Sequence, residues 1–287
     1  MKQLTVLSGK GGTGKTSITA SFAVLAKNAV VADCDVDAPD LHMLLHPEII
    51  KTQEFIGSNV AIIDETKCIK CGLCREKCVF DAITSNLNVD AIACEGCGVC
   101  AVVCPVDAVA LTPRISGNAF ISKTKYGFMS HAILHPGESN SGKLVTLVRQ
   151  NAKILSEKEN CNLIIIDGSP GIGCPVIASI TGVDAALVVT EPTLSGIHDL
   201  KRVLELLDHF NVAPFVCINM YDINTDNTNR ILSFCKENGT DVVGIILFSP
   251  EVTQAMVNGK TIVEYSPKSV VAEEILSMWK KMCLFLV

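Results

Sequence analysis

Three absences narrow the field. The sequence opens MKQLTVLSGKGGTGKT, running straight into a glycine loop with no secretion leader, and no stretch of eighteen apolar residues occurs that would span a membrane. A cytoplasmic protein is expected. Basic residues are not in excess: 24 Lys and Arg stand against 30 Asp and Glu, a net charge of −6. A broad phosphate-binding surface for nucleic acid is therefore not expected. Only 19% of the 287 residues are charged while 48% are hydrophobic, enough to fill one large α/β domain or two smaller ones. What is abundant is cysteine, with fourteen residues. Without a leader, disulfides are not their expected use. Eight of them fall in two tight groups, the usual mark of intracellular metal binding.

Apolar runs at Leu4–Leu7, Ala29–Asp33, Leu163–Ile166, Ala185–Val189, Pro214–Ile218 and Val242–Ile246 read as strands. Helical spacing follows the glycine loop through Lys27 and returns at Lys143–Ser156, Ser195–Phe210 and Thr225–Asn238. Continuous apolar strands alternating with helices predict a doubly wound, mostly parallel α/β sheet covered on both faces. Residues 58–112 break that rhythm. Cys68–Ile83 and Cys94–Val109 superimpose at an offset of 26 residues, with Asp81-Ala82 matching Asp107-Ala108. This stretch reads as a small α+β module inserted between residues 1–57 and 113–287 of the larger domain. Thr112–His135 is expected to form short strands with glycine turns.

Gly9-x-x-x-x-Gly14-Lys15-Thr16 is a complete Walker A motif between a strand and a helix. Its glycines, Gly9, Gly11, Gly12 and Gly14, let backbone N–H groups of a loop that continues through Thr13 to Ser17 face phosphate oxygens, at the positive end of the following helix. Lys15 meets the β- and γ-phosphates, and the Thr16 hydroxyl is the candidate Mg²⁺ ligand. Asp167 ends a buried strand, Ile164-Ile165-Ile166-Asp167, in the Walker B manner, and is expected to reach Mg²⁺ through water.

The loop carries a second lysine, Lys10. Here the sequence, Lys10-Gly11-Gly12-Thr13-Gly14-Lys15-Thr16, resembles the family of MinD, ParA, Mrp and the nitrogenase iron protein, whose loop reads KGGxGK[ST]. The resemblance spans nearly the whole chain outside the insertion. It implies an ATPase that dimerises, as homo- or heterodimer, through a nucleotide sandwich in which Lys10 reaches the partner's ATP. Without the resemblance, Lys10 reads equally as a solvated loop lysine. In Asp33-Cys34-Asp35-Val36-Asp37-Ala38-Pro39-Asp40, the family's switch I region, the resemblance makes Asp35 the residue that orients the attacking water. Asp40 then stands where relatives carry Asn. Asp37 reads instead as the start of a helix. Gly171 is expected to offer its N–H to the γ-phosphate, and Asn219 to read adenine. Asn219-Met220-Tyr221-Asp222 also resembles the GTPase N-K-x-D with Met220 in place of lysine, which favours ATP.

Cys68-x-x-Cys71-x-x-Cys74-x-x-x-Cys78 and Cys94-x-x-Cys97-x-x-Cys100-x-x-x-Cys104-Pro105 have the spacing of two-cluster bacterial ferredoxins. There, three close thiolates hold one cube and the fourth cysteine ligates the other. The expected sets are Cys68, Cys71, Cys74 and Cys104 for one [4Fe–4S] cluster, and Cys94, Cys97, Cys100 and Cys78 for the second. Zinc is the alternative occupant. Val79 replaces the proline usual after the fourth cysteine. The module lies between the two switch segments in sequence.

Cys174 sits seven residues after Asp167, where the nitrogenase iron protein has a cluster ligand. That protein's second ligand would fall near 139–141, which holds no cysteine. Cys174 is read as a metal-transfer thiol or a plain buried one. Cys34, Cys161, Cys217, Cys235 and Cys283 are expected in the core. The terminal helix, 273–287, is expected to pack on the domain rather than anchor to a membrane. The expected function is an ATPase whose nucleotide state controls two clusters, for electron delivery to a redox partner or for cluster assembly and transfer. The rival is a ParA-like positioning protein with structural clusters.

Overall fold

The computed structural model describes residues 1–138 and 142–286. Its elements begin β1 (Lys2–Leu7), α1 (Lys15–Leu25), β2 (Ala29–Asp33), α2 (Leu41–Leu45), β3 (Glu48–Ile63), α3 (Leu73–Glu76) and α4 (Val99–Val102). They continue β4 (Val109–Thr124), β5 (Gly127–Leu134), α5 (Lys143–Lys158), β6 (Leu163–Asp167), α6 (Cys174–Ile180), β7 (Ala185–Thr190) and α7 (Leu194–His209). The last are β8 (Ala213–Asn219), α8 (Thr225–Glu237), β9 (Asp241–Ile246), α9 (Pro250–Val257), α10 (Ile262–Tyr265) and α11 (Val270–Leu286). The chain divides into two compact units. One is Met1–Thr52, Ala119–Ile133 and Ser141–Val287; the other is Gln53–Asn118 and Leu134–Asn140.

The first unit is built on a sheet of order β3-β4-β5-β2-β6-β1-β7-β8-β9. Each pairing from β5 to β9 is parallel. Side chains alternate along a strand, so both faces must be covered. Leu4, Val6, Ile165, Leu187 and Val189 pack with α1 and α11 residues Ile18, Phe22, Ile275 and Met278 in one core. The intervening Ile164, Ile166, Ala186 and Val188 are equally buried and point to the opposite face. Helices start where sequence chemistry allows: the Thr193 side chain accepts the Gly196 N–H, and Asn224 accepts that of Asn227. The apolar face of α11 (Val271, Ile275, Met278, Trp279, Met282) is buried in the same core, so this helix packs on the sheet, as its sequence suggests. Val287 lies outside the described residues.

The second unit is wider than residues 58–112, and β3 and β4, each sixteen residues long, run past both of those limits. The Thr112–His135 stretch holds two long strands, β4 and β5, joined at Lys125-Tyr126, instead of short strands with glycine turns. Inside the unit the repeat is visible in the backbone. Asp64 N–H donates to Ala108 O and Asp90 N–H to Ala82 O, both at 2.7 Å. Gly72 and Gly98 share left-handed φ values of 78° and 82°, and Asp81 and Asp107 share 51° and 49°.

The lone tryptophan reports on the first unit, since the Phe22 and Trp279 rings lie 4.9 Å apart between α1 and α11. Phe22→Ala should cost about 3–5 kcal/mol through the cavity left in a closed core. Urea melts followed by Trp279 fluorescence measure this; a loss under about 1 kcal/mol would mean that α11 does not depend on that contact.

Candidate functional site

The carboxyl ends of β1, β2 and β6 lie side by side, and register pairs Asp33 with Asp167 and Val6 with Asp167. The loop after β1 therefore opens beside two strands that each end in an acid, the edge at which α/β sheets bind ligands. The Lys15 ammonium lies 2.8 Å from Asp167 and 3.4 Å from Asp35. Asp167 also accepts the hydroxyls of Thr16 and Thr19, each at 2.8 Å. Burial works to lower the Lys15 pKa, but the Asp167 and Asp35 carboxylates outweigh it and hold the ammonium above its usual range. Burial raises Asp35, with Lys15 opposing. Asp33 is raised well above the carboxylate range, by burial first and by Asp167 second. One of its oxygens has no partner; the other accepts the Asp35 N–H at 3.2 Å.

The cleft in front of this cluster is lined by Gly11, Gly12, Gly14, Lys15, Thr16 and Ser17, by Asp35 and Asp40, and by Asn219. Gly14 has a left-handed φ of 89°, and a Cβ there would meet the Asn219 amide nitrogen at 2.4 Å, so the position demands glycine. That nitrogen donates to Thr13 O at 2.8 Å. Asp40 caps α2 by position without a side-chain bond, whereas Asp37 lies in a turn ahead of the helix.

Several expected groups are engaged elsewhere or stand outside the cleft. The Gly171 N–H donates to Ser8 O at 2.9 Å. Gly9 packs against Asp199 of α7. Thr13 is buried, its hydroxyl unpartnered. Lys10 is held by its own chain: its ammonium lies 2.6 Å from Glu191 and donates to Ser195 at 3.0 Å and Thr193 at 3.3 Å.

In the second unit the eight clustered cysteines divide four and four. Cys68, Cys71, Cys74 and Cys104 line one cavity; Cys78, Cys94, Cys97 and Cys100 line another. The two are similar in size, about 310 and 350 Å³ including the space at their mouths. Backbone amides face the sulfurs, with Lys70 N–H 3.4 Å from Cys68 Sγ and Ala108 N–H 3.2 Å from Cys104 Sγ. Among the described residues, no three His, Cys, Asp or Glu side chains converge as they would on a single ion.

Residues 4–262 match the family described as the CobQ/CobB/MinD/ParA nucleotide binding domain. The chain belongs to this family. Relatives include an uncharacterized protein of Methanocaldococcus jannaschii, MJ0578, 41% identical over 229 residues that make up 78% of this chain and 80% of that one. Among solved structures, the septum site-determining protein MinD of Pyrococcus horikoshii, complexed with Mg-ADP, aligns over 98% of this chain and 95% of its own at 17% identity, with a TM-score of 0.62. The MinD of the Aquifex aeolicus MinC:MinD complex aligns over 99% and 96% at 18% identity, with a TM-score of 0.58. At such identities the likeness speaks for the fold.

Sequence reasoning missed three parts of the site. Glu191 and Ser195 flank the start of a helix and look like ordinary capping residues; only the fold brings them to Lys10. Thr19, one helical turn after Thr16, would be found by asking which residue shares its face. The apolar wall of the cleft, including Phe248, Val252 and Met256, comes from the loop after β9 and from α9, beyond the motifs. Among the other cysteines, Cys34, Cys217 and Cys235 are buried, Cys161 and Cys283 only partly, and Cys174 is exposed at the start of α6, which excludes a plain buried thiol there. Residues 139–141, the position of the second bridging ligand in the nitrogenase iron protein, lie outside the described residues.

A carboxyl whose folded pKa is raised contributes stability below its unfolded pKa, and that stability is lost as pH climbs toward the folded value. Asp33 is such a group. Asp33→Asn keeps the acceptor for Asp35 N–H and removes the titration. Its Tm should exceed the wild type's at pH 7.5 and converge with it near about pH 4, the unperturbed carboxylate value. A Tm equal to or below that of wild type at pH 7.5 would show that the ionised Asp33 is not a cost to the fold.

Proposed function

We propose that this chain is an ATP-hydrolysing switch carrying two [4Fe–4S] clusters whose state it governs, for electron delivery to a partner or for assembly and transfer of a metal cluster. The carrying observation is the division of the eight cysteines: each cavity takes three from one repeat and its fourth from the other. Three cysteines from one repeat and a fourth from the other around each cavity match the ligand pattern of two-cluster ferredoxins, whereas zinc asks for only one set of four. The amides aimed at Cys68 and Cys104 suit sulfur that carries negative charge. When bound, the clusters supply one-electron chemistry.

At the other site the chain's residues divide the work of phosphate transfer. The loop amides and Lys15 take the phosphates, with Lys15 exchanging carboxylate oxygens for phosphate oxygens. Thr16 and Asp167, already in contact, are the pair that holds Mg²⁺ and its waters. Asp35, across from Lys15, orients the attacking water. In the sandwich dimer Lys10 leaves Glu191 for the partner's nucleotide. One N–H of the Asn219 amide goes to Thr13 O, and its carbonyl oxygen is an acceptor suited to the adenine amine. Asp222, where a GTPase would read guanine, accepts the Phe248 N–H at 2.6 Å instead.

The family also takes in MinD and ParA proteins, and one neighbour in fold is a septum site-determining protein. The second reading is therefore a positioning ATPase of the MinD or ParA type with clusters that only brace the fold. On this reading the exposed Leu284 and Phe285 at the end of α11 are candidate surface contacts.

Metal analysis of anaerobically purified protein should find about eight irons per chain; stoichiometric zinc with little iron would end the cluster reading. Lys15→Ala should abolish ATP binding, and Lys10→Ala should bind ATP but lose hydrolysis. Normal turnover by the Lys10 variant would exclude the sandwich dimer. To separate the two functions, ATP affinity is measured with reduced and oxidised protein. Linkage requires the affinities to differ if nucleotide state controls the clusters. Equal affinities, together with unchanged cluster transfer to an acceptor, would favour positioning.

A further inference from the structure

The two repeats of the second unit share most of their backbone bonds, but the amide-to-sulfur bonds, Lys70 N–H to Cys68 and Ala108 N–H to Cys104, both fall on the first cavity. Cys68 N–H donates to Asp64 O and Cys94 N–H to Asp90 O, both at 3.0 Å. Only the second motif is also gripped by a cation. The Arg114 guanidinium donates to Cys94 O at 3.3 Å and to Ala91 O, and its Nε donates to Ser58 Oγ at 3.1 Å. Glu138 holds it from the other side, 2.8 Å from Nε and 3.0 Å from Nη2. Both partners are largely sheltered, with side-chain exposures of 17% and 11%. Among the described residues, no arginine or lysine donates to the equivalent carbonyls of Glu65 and Cys68.

We propose that Arg114 is a positioning and potential-setting residue for the cluster held by Cys78, Cys94, Cys97 and Cys100, making that cluster the more easily reduced of the two. The inference rests on the cluster reading given above. Reduction adds one negative charge to a cluster, and a fixed positive charge nearby favours the reduced form. Arg114 meets that condition through the backbone of Cys94, in a sheltered place where screening is weak. Surface charges around the repeats point the other way. Around the first repeat, Lys67, Lys70, Arg75 and Lys77 balance Asp64, Glu65, Glu76 and Asp81, whereas the second bears only Asp90, Glu95 and Asp107. These side chains reach solvent, however; Lys67 and Lys77 are paired with Asp64 and Glu76, and solvent discounts the rest. The amides on Cys68 and Cys104 also favour the first cluster, but as dipoles against a full guanidinium charge. Glu138 completes the device. It offsets part of the guanidinium's charge while fixing its direction, so the positive end of the pair faces the cysteine motif. An electron delivered to the unit therefore settles on the second cluster.

The test is an EPR-monitored potentiometric titration of the anaerobic full-length protein, with dithionite as the one-electron source. Wild type should show two separate potentials. Arg114→Gln should lower the higher one, weakening that reduction roughly tenfold, the effect of removing one partly buried charge. Arg114→Lys should restore part of it. Glu138→Gln leaves the guanidinium and removes its counter-charge, so it should raise the same potential. Shifts of opposite sign from two variants that break one ion pair are beyond a merely structural role. Unchanged potentials at full iron content, or shifts of the same sign, would overturn the proposal while leaving the cluster reading intact. If Arg114→Gln loses the second cluster, Glu138→Gln decides alone: a rise supports the assignment and no rise ends it. A wild-type protein without iron would overturn both readings.

Discussion

Asp167 is the carboxylate around which the first unit's buried charge cluster is assembled. It ends β6 in register with Asp33 of β2 and Val6 of β1, and it binds Lys15, Thr16 and Thr19 at once. Three acids, Asp33, Asp35 and Asp167, crowd around one buried ammonium. Such a grouping is costly unless each charge is met, and here the deepest acid, Asp33, is the one left with an unpartnered oxygen. On the proposed function, a nucleotide that draws Lys15 toward its phosphates loosens this set, and a divalent cation would replace the lost positive charge. Phosphate and metal would then be coupled before any hydrolysis takes place.

The second unit solves a different problem. Its own hydrophobic core is small, made of Ala61, Ala82, Ile83 and Val109 with buried Cys74 and Cys94. A unit with so little apolar interior draws on covalent or metal links to hold its loops. The left-handed turns at Gly72 and Gly98 open the short helices that carry the cysteines, and the ion pair of Arg114 and Glu138 ties a third segment to them.

Much of this was legible in the residues. Gly9 to Thr16 between strand and helix, the acid ending Ile164-Ile165-Ile166, and the two cysteine repeats each carry a local signature, because backbone geometry and ligand count restrict which residues serve. The parallel order of β5 to β9 follows from apolar runs separated by helices. What escaped was non-local. Glu48–Ile63 is mostly exposed and mixes polar with apolar residues, so its strand character comes from pairing with β4 and not from its own pattern. Glu191 gains meaning only from lying near Lys10, and the Gly171 N–H is engaged by Ser8, a bond no motif announces. Arg114 and Glu138 lie 24 residues apart and belong to no pattern.

The exchange of fourth cysteines between repeats bears on descent. Cys104 closes the cavity of the first motif and Cys78 that of the second, so neither half encloses four thiols by itself. Deleting one half would strip a corner from the other. A duplication can create such an interlocked pair from two identical copies, which can serve each other from the start, but piecemeal loss afterwards gives no functional remnant. The repeat is inherited whole or discarded whole, and its divergence falls on residues other than the cysteines, Val79 against Pro105 among them.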